Sequence, residues 1–245
     1  MLETLRRLWH KEPKPVLDLA PMKAWAALRG MEVRSVRDGE GCLVEPGVPH
    51  PLWRIEWGAS QRSYIEPREL RIIGDVGTPK ELMALLLTRP LMEAMEKRVF
   101  EQYVEDVQTR LDTETPAEMR WLVLYTKLPA AEMGRLRDRY AAVCSVKQWA
   151  TQWLAGALND ALAATLQSTD AEVPMVLMIA RGRLTLRTPM AEIDEQRLAL
   201  WLSVFEHAQR EARRLGREWN ESAEANHSTQ PAAWPKSVLP GEEVD

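Results

Sequence analysis

Apolar positions near the start of the chain recur at helical spacing: Leu2, Leu5, Leu8 and Trp9 line up opposite Arg6 and Arg7, and Pro13 and Pro15 end the segment. Pro21 to Leu28 predicts a second short helix, closed by Gly30 at a C-cap position. From Met31 to Ile73 the period falls to two, and Gly, Pro, Asp and Glu punctuate short runs rich in Val, Ile, Trp and Tyr, which predicts a β-meander. Val33, Val36, Cys42 and Val44 flank Asp38-Gly39-Glu40-Gly41, a sequence that supplies positive-φ positions for a hairpin turn. Leu52 to Trp57 alternates cleanly, with Trp53, Ile55 and Trp57 on one face and Arg54 and Glu56 on the other. Glu69-Leu70-Arg71-Ile72 repeats the alternation, and Arg71 lies near Arg54 if the two strands are neighbours.

Thr78-Pro79-Lys80-Glu81 has the chemistry of a helix start: Thr as N-cap, Pro at the first helical position, Glu completing a capping box. The spacing predicts a helix kinked or broken near Thr88 by Pro90 and continued by Leu91, Met95, Val99, Tyr103, Val107 and Leu111. Met119 to Tyr125 reads as a buried strand. Residues 130–143 and 146–167 predict two more helices, the second capped by Ser145 with Gln148, and with Trp149, Trp153, Ala157 and Ala161 on one face. Residues 174–180 and 183–187 form a hairpin about Arg181-Gly182, and after Thr188-Pro189 a long helix fills residues 193–219.

The pattern therefore predicts an α+β protein of antiparallel β-meander and hairpin units, each followed by long helices. Its divisions are an N-terminal α+β half at 1–113, a C-terminal α+β half at 114–219, and a tail at 220–245 of loop composition. Hairpin, Thr-Pro and long helix occur twice, around Thr78-Pro79 and Thr188-Pro189. Duplicated β-β-α units and a chance recurrence of helix-start chemistry explain this equally well.

Composition narrows the function classes. With 245 residues, 45% of them hydrophobic and 28% charged, the chain can bury a core without disulfides or metals. Two cysteines, Cys42 and Cys144, make neither a disulfide framework nor a CxxC motif. The N-terminal residues lack the apolar stretch and cleavage site of a secretory signal, so the expected location is cytoplasmic. The longest apolar runs fall far short of the ~20 residues of a membrane span, so no integral membrane contact is expected. A net charge of −4 gives no global attraction for nucleic acid.

Candidate chemistry is sparse. His10, His50, His207 and His227 share no metal-ligand spacing, and Glu206-His207 with Glu211 is the nearest approach to a cluster, so no metal and no cofactor is expected. No GxSxG elbow or SxxK pair appears, and no catalytic residue is nominated; whether the protein is an enzyme stays open. Residues 57–71 do gather Trp57, Gln61, Arg62, Tyr64, Arg68 and Arg71, aromatic and guanidinium groups of the kind found at interface hot spots and in pockets for anions. Trp57, Arg62, Tyr64, Arg68 and Arg71 are accordingly the candidate binding residues. The competing reading makes Trp57 core and the arginines a solvated strand face, bridged to Glu56, Glu66 and Glu69.

The functional expectation is a non-catalytic interaction or adaptor protein that binds another protein through a sheet edge or an exposed apolar groove, with homo-oligomerisation open. The alternative is an anionic-ligand binder or enzyme with its site near Arg54, Arg62 and Arg71. A third reading has residues 1–10 lie on a membrane surface, and Trp234 in the tail is a further candidate anchor for a partner.

Overall fold

The computed structural model describes residues 17–36, 40–47, 52–104 and 116–228. Along these residues run α1 (Ala20–Ala27), β1 (Met31–Ser35), β2 (Gly41–Pro46), β3 (Trp53–Ala59), β4 (Arg68–Asp75), β5 (Ala84–Thr88), α2 (Arg89–Val104), α3 (Ala117–Leu124) and β6 (Thr126–Lys127). There follow α4 (Ala130–Met133), β7 (Tyr140–Cys144), α5 (Lys147–Trp153), α6 (Gly156–Ser168), β8 (Val176–Ala180), β9 (Arg183–Pro189) and α7 (Glu195–Ser228). The strands form one nine-stranded antiparallel sheet in the order β1-β2-β3-β4-β9-β8-β5-β7-β6. Mixed α+β architecture follows directly.

Strand alternation sends side chains to two faces of this sheet. On one face Val44, Ile55, Trp57, Leu70, Ile72, Leu184 and Leu186 join the larger apolar cluster, together with residues of α1, α5, α6 and α7. Trp25, Trp149, Trp153 and Trp201 are buried there with Trp57, and Trp153 Nε1 donates to Ala208 O at 2.9 Å. α7 closes the cluster. It starts at Asp194, whose Oδ1 accepts from the amides of Gln196 and Arg197 as an N-cap. Its Gln209 Nε2 then donates to Leu52 O and Asp75 O at the ends of β3 and β4.

On the other face a smaller cluster gathers Leu85, Leu87, Val143, Val176 and Met178 under Leu91, Met92 and Met95 of α2 and Met119, Trp121 and Leu122 of α3. This cover stops at β8. Among the described residues, the cluster takes no side chain from β1 to β4 or from β9. Among the described residues, half of one sheet face is thus without a helix.

The meander of β1 to β4 and the β8–β9 hairpin stand where the period predicts them. At the hairpin turn Arg181 and Gly182 both have positive φ, 52° and 75°, the geometry of a primed two-residue turn. Gly41 is needed for a different reason from the one its turn position suggests: a Cβ there would meet Trp57 O at 2.2 Å, so it permits close approach of β3 to β2.

Several expectations are corrected. Thr78-Pro79 starts no helix; residues 80–81 turn and β5 follows, buried at every position. β5 lies inside the sheet with apolar layers on both faces, so its run of apolar residues has no alternation to betray a strand. Pro90 does not kink a helix but stands at the second residue of α2, where its missing N–H costs nothing. Residues 105–115, with Val107 and Leu111, lie outside the described residues. The segment expected as a strand at Met119 to Tyr125 is helical in α3 as far as Leu124: Glu118, Met119, Trp121 and Leu122 are buried while Val123 and Leu124 are exposed, which is a helical face.

The expected helix at 130–143 stops at Gly134, whose φ of 54° and ψ of −127° break it, and its end is β7, wholly buried. The helix expected at 146–167 is divided at Gly156, φ 59°, into α5 and α6. Ser145 does not cap α5; its Oγ accepts from Met83 N and donates to Met83 O. Leu158 and Leu162 face the core from α6, whereas Ala157 is exposed. α7 runs nine residues into the expected tail, to Ser228. Residues 1–16, His50 and Trp234 lie outside the described residues.

Candidate functional site

The register across the helix-free half of the sheet brings one row of side chains together. Arg34 on β1 faces Leu43, Leu43 faces Glu56, Glu56 faces Arg71, and Arg71 faces Arg187 on β9. A second row sets Arg54 beside Ile73 and Ile73 beside Thr185. These positions alternate with the buried Ile55, Leu70, Ile72 and Leu186, so they share the opposite face.

Arg54, Arg71 and Arg187 there each meet a glutamate. Glu56 accepts from Arg54 Nε at 2.8 Å through Oε1 and from Arg71 Nη2 through Oε2, so one carboxylate bridges two guanidinium groups. Arg187 Nη1 donates to Glu69 Oε1, and Glu69 Oε2 accepts from the Gln61 amide at 2.9 Å. Glu69 and Arg187 are both buried, and each meets its opposite charge in the other.

Where the helix cover begins, the β3–β4 loop reaches α3. The loop is folded on itself: Ser60 Oγ accepts from Arg62 N and donates to Arg62 O, and Ile65 N donates to Arg62 O. That fold presents Arg62 and Tyr64 to Glu118 of α3. Arg62 Nε and Tyr64 OH each donate to Glu118 Oε1 at 3.0 Å, and Arg187 Nε stands 4.0 Å from the same oxygen. Glu118 is fully buried.

Burial, and then the Glu118 charge, push the Tyr64 hydroxyl well above the usual tyrosine value. For Arg62, burial alone would favour losing the proton, but the charge and hydrogen bond of Glu118 outweigh it and hold the guanidinium above its ordinary value. Tyr64 is therefore a neutral donor and Arg62 a fixed cation. The trio ties loop to helix.

The structure divides the five residues that sequence proximity had grouped. Arg62, Tyr64 and Arg71 stand on or beside the helix-free face. Trp57 belongs to the opposite face: it is buried in the larger cluster and donates from Nε1 to Met190 O at 2.8 Å. Arg68 stays with Trp57, its guanidinium 5.4 Å from the ring centroid, and donates to Glu40 O. Arg54 and Arg71 do meet, through Glu56, while Arg62 belongs to Glu118.

Sequence reasoning missed Glu118 and Arg187. Arg187 was within reach, since Thr185 and Arg187 alternate with Leu184 and Leu186 on β9. Glu118 was not, because its segment reads as the approach to a strand. An open cavity of about 350 Å³ lies among Val36, Leu43, Glu56, Gly58, Glu69 and Arg71. Among the described residues no group of three His, Cys, Asp or Glu side chains is placed to hold a metal, and no helix is long and apolar enough to cross a membrane. Compared with models of known families, with curated proteins and with solved structures, the chain matches none.

Proposed function

We propose that the protein is a non-catalytic interaction protein and that the helix-free half of its sheet receives another protein. One observation carries the reading: on that face Arg54, Arg71, Arg187 and Arg62 are each engaged by Glu56, Glu69 or Glu118. A site built for an anionic ligand would hold its guanidinium groups for the ligand. Here the carboxylates already occupy them, and what remains is a broad face of both signs around Leu43 and Ile73, both half-buried. Such a surface suits a partner with matching charges around an apolar centre. An internal duplication has one supporting feature, the back-to-back meeting of the β3–β4 and β8–β9 hairpins through β4 and β9. Against it, α2 and α7 lie on opposite faces.

The test is capture from extract of the source cells, with proteins and small molecules both identified by mass spectrometry, using the wild-type chain, Ile73→Asp and Arg71→Ala. A protein held by the wild type and lost with Ile73→Asp, in a variant whose melting is unchanged, supports the reading. An anionic metabolite that co-purifies and is lost with Arg71→Ala instead transfers the site to the ligand-binding reading, in the cavity that Arg71 lines.

A further inference from the structure

The two edges of the sheet are guarded differently. β6, at one end, is two residues long and its Lys127 is paired with Glu96 of α2. A short, charged edge offers little to pair with. β1, at the other end, is five residues long, continuous in register, and free of proline or bulge. The hydrogen bonds Gly47 N to Gly30 O and Val36 N to Gly41 O bracket it, so the even-numbered residues between them pair with β2. The N–H and C=O groups of Met31, Val33 and Ser35 therefore point outward, and among the described residues no backbone hydrogen bond uses them.

The outer side chains of β1 make this edge self-complementary. Glu32 and Arg34 lie on the helix-free face, both more than half exposed, with Arg34 Nη2 3.2 Å from Glu32 Oε2 within the strand. An antiparallel copy centred on Val33 sets Val33 against Val33 and Met31 against Ser35 as hydrogen-bonded pairs. It sets Glu32 against Arg34, twice, in the closer non-hydrogen-bonded positions. The other registers that keep the outward amides paired shift by two residues. One of them puts Glu32 opposite Glu32, and the other puts Arg34 opposite Arg34, so like charges reject both. A twofold axis through Val33 satisfies every outward amide and both charges at once.

We propose that β1 is a homodimer interface: two copies of this chain join β1 to β1 in the Val33-centred antiparallel register, giving one sheet of twice nine strands. The partner is a second copy because the strand's own charges select it. Ile73 stands on β4, three strands in from this edge, so Ile73→Asp leaves the β1 interface unchanged.

The test is the mass of the full chain by sedimentation over about 1 µM to 1 mM, for the wild type, Glu32→Lys, Arg34→Glu and an equal mixture of the two variants. The wild type is expected to approach twice 28.0 kDa. Each variant alone places like charges opposite one another and should weaken the dimer about tenfold or more. The mixture restores opposite charges and should recover the dimer as a heterodimer, which a merely misfolded variant cannot do. A wild type that stays at 28.0 kDa, a dimer indifferent to both substitutions, or a mixture no tighter than its parts would each overturn the proposal.

Discussion

Glu118 and Arg62 are 56 positions apart in the chain, yet Arg62 Nε donates to Glu118 Oε1 at 3.0 Å in a site where Glu118 has no exposed surface. Removing one member strands the other. Glu118→Ala should cost about 3–5 kcal/mol, since an uncompensated buried charge is far more expensive than a lost contact. Arg62→Met should cost less than Glu118→Ala, because Tyr64 still donates to the carboxylate. Urea unfolding of both variants and their double measures the coupling; a double variant whose cost equals the sum of the singles would show that the pair acts independently.

Arg54 and Arg187 share the helix-free face and should behave oppositely. Arg54 is 42% exposed at its side chain and Arg187 is 10% exposed. Arg54→Ala is expected to change stability by less than about 1 kcal/mol. Arg187→Ala, which leaves buried Glu69 with only the Gln61 amide, should lose about 3 kcal/mol or more. Equal effects would mean that burial does not govern this network.

Alkali should weaken the fold through its two thiols. Burial pushes both Cys42 and Cys144 from the usual 9.0 up to about 11. The folded chain thus holds these protons more tightly than the unfolded chain. The stability they contribute is whole below 9.0 and is lost as pH rises toward about 11. Tyr64, raised in the same sense, extends the loss to higher pH. Urea midpoints measured across this range should fall, and the Cys42→Ala/Cys144→Ala variant should show a shallower decline; an unchanged slope would assign the alkaline loss elsewhere.

A methyl group at Gly41 has nowhere to go. It would stand 2.2 Å from Trp57 O and 2.9 Å from Gly58 Cα, both backbone atoms that cannot turn aside. Gly41→Ala should cost about 2–4 kcal/mol by prising β2 from β3. Gly77→Ala, where nothing lies within 4 Å and only the φ of 63° resists, should cost about 1–2 kcal/mol. Reversal of that order in thermal melts would place the strain in the turn rather than in the strand contact.

The strands of the meander are legible in the sequence because they have one dry face, whereas β8, dry on both, is marked by the Arg181-Gly182 turn that follows it. Trp53, Ile55 and Trp57 alternate with Arg54 and Glu56 because α7 and its neighbours cover one side while the other stays open. β5 and β7 are dry on both sides, Leu86 and Ala142 in one cluster and Leu85 and Val143 in the other, so alternation is erased and helix-start chemistry at Thr78-Pro79 misleads. The site suffered likewise. Arg62 and Tyr64 were visible as a dense local group, but their partner Glu118 lies in a segment whose aromatic and branched residues imitate a strand. Proximity in sequence also tied Trp57 to Arg71, which a period of two separates onto opposite faces.

The seam between β4 and β9 joins residues as distant as Glu69 and Arg187, 118 positions apart. On a ribosome the meander is complete long before its neighbour exists. At ordinary synthesis rates the β4 flank waits on the order of 10 s for β9 to emerge. During that interval the later inner strand is an outer one, open to any extended segment nearby. Chains stalled before Arg183 should exchange the Leu70 and Ile72 amides, which face β9 in the finished sheet, and the hazard of misassembly at this seam belongs to the protein's birth.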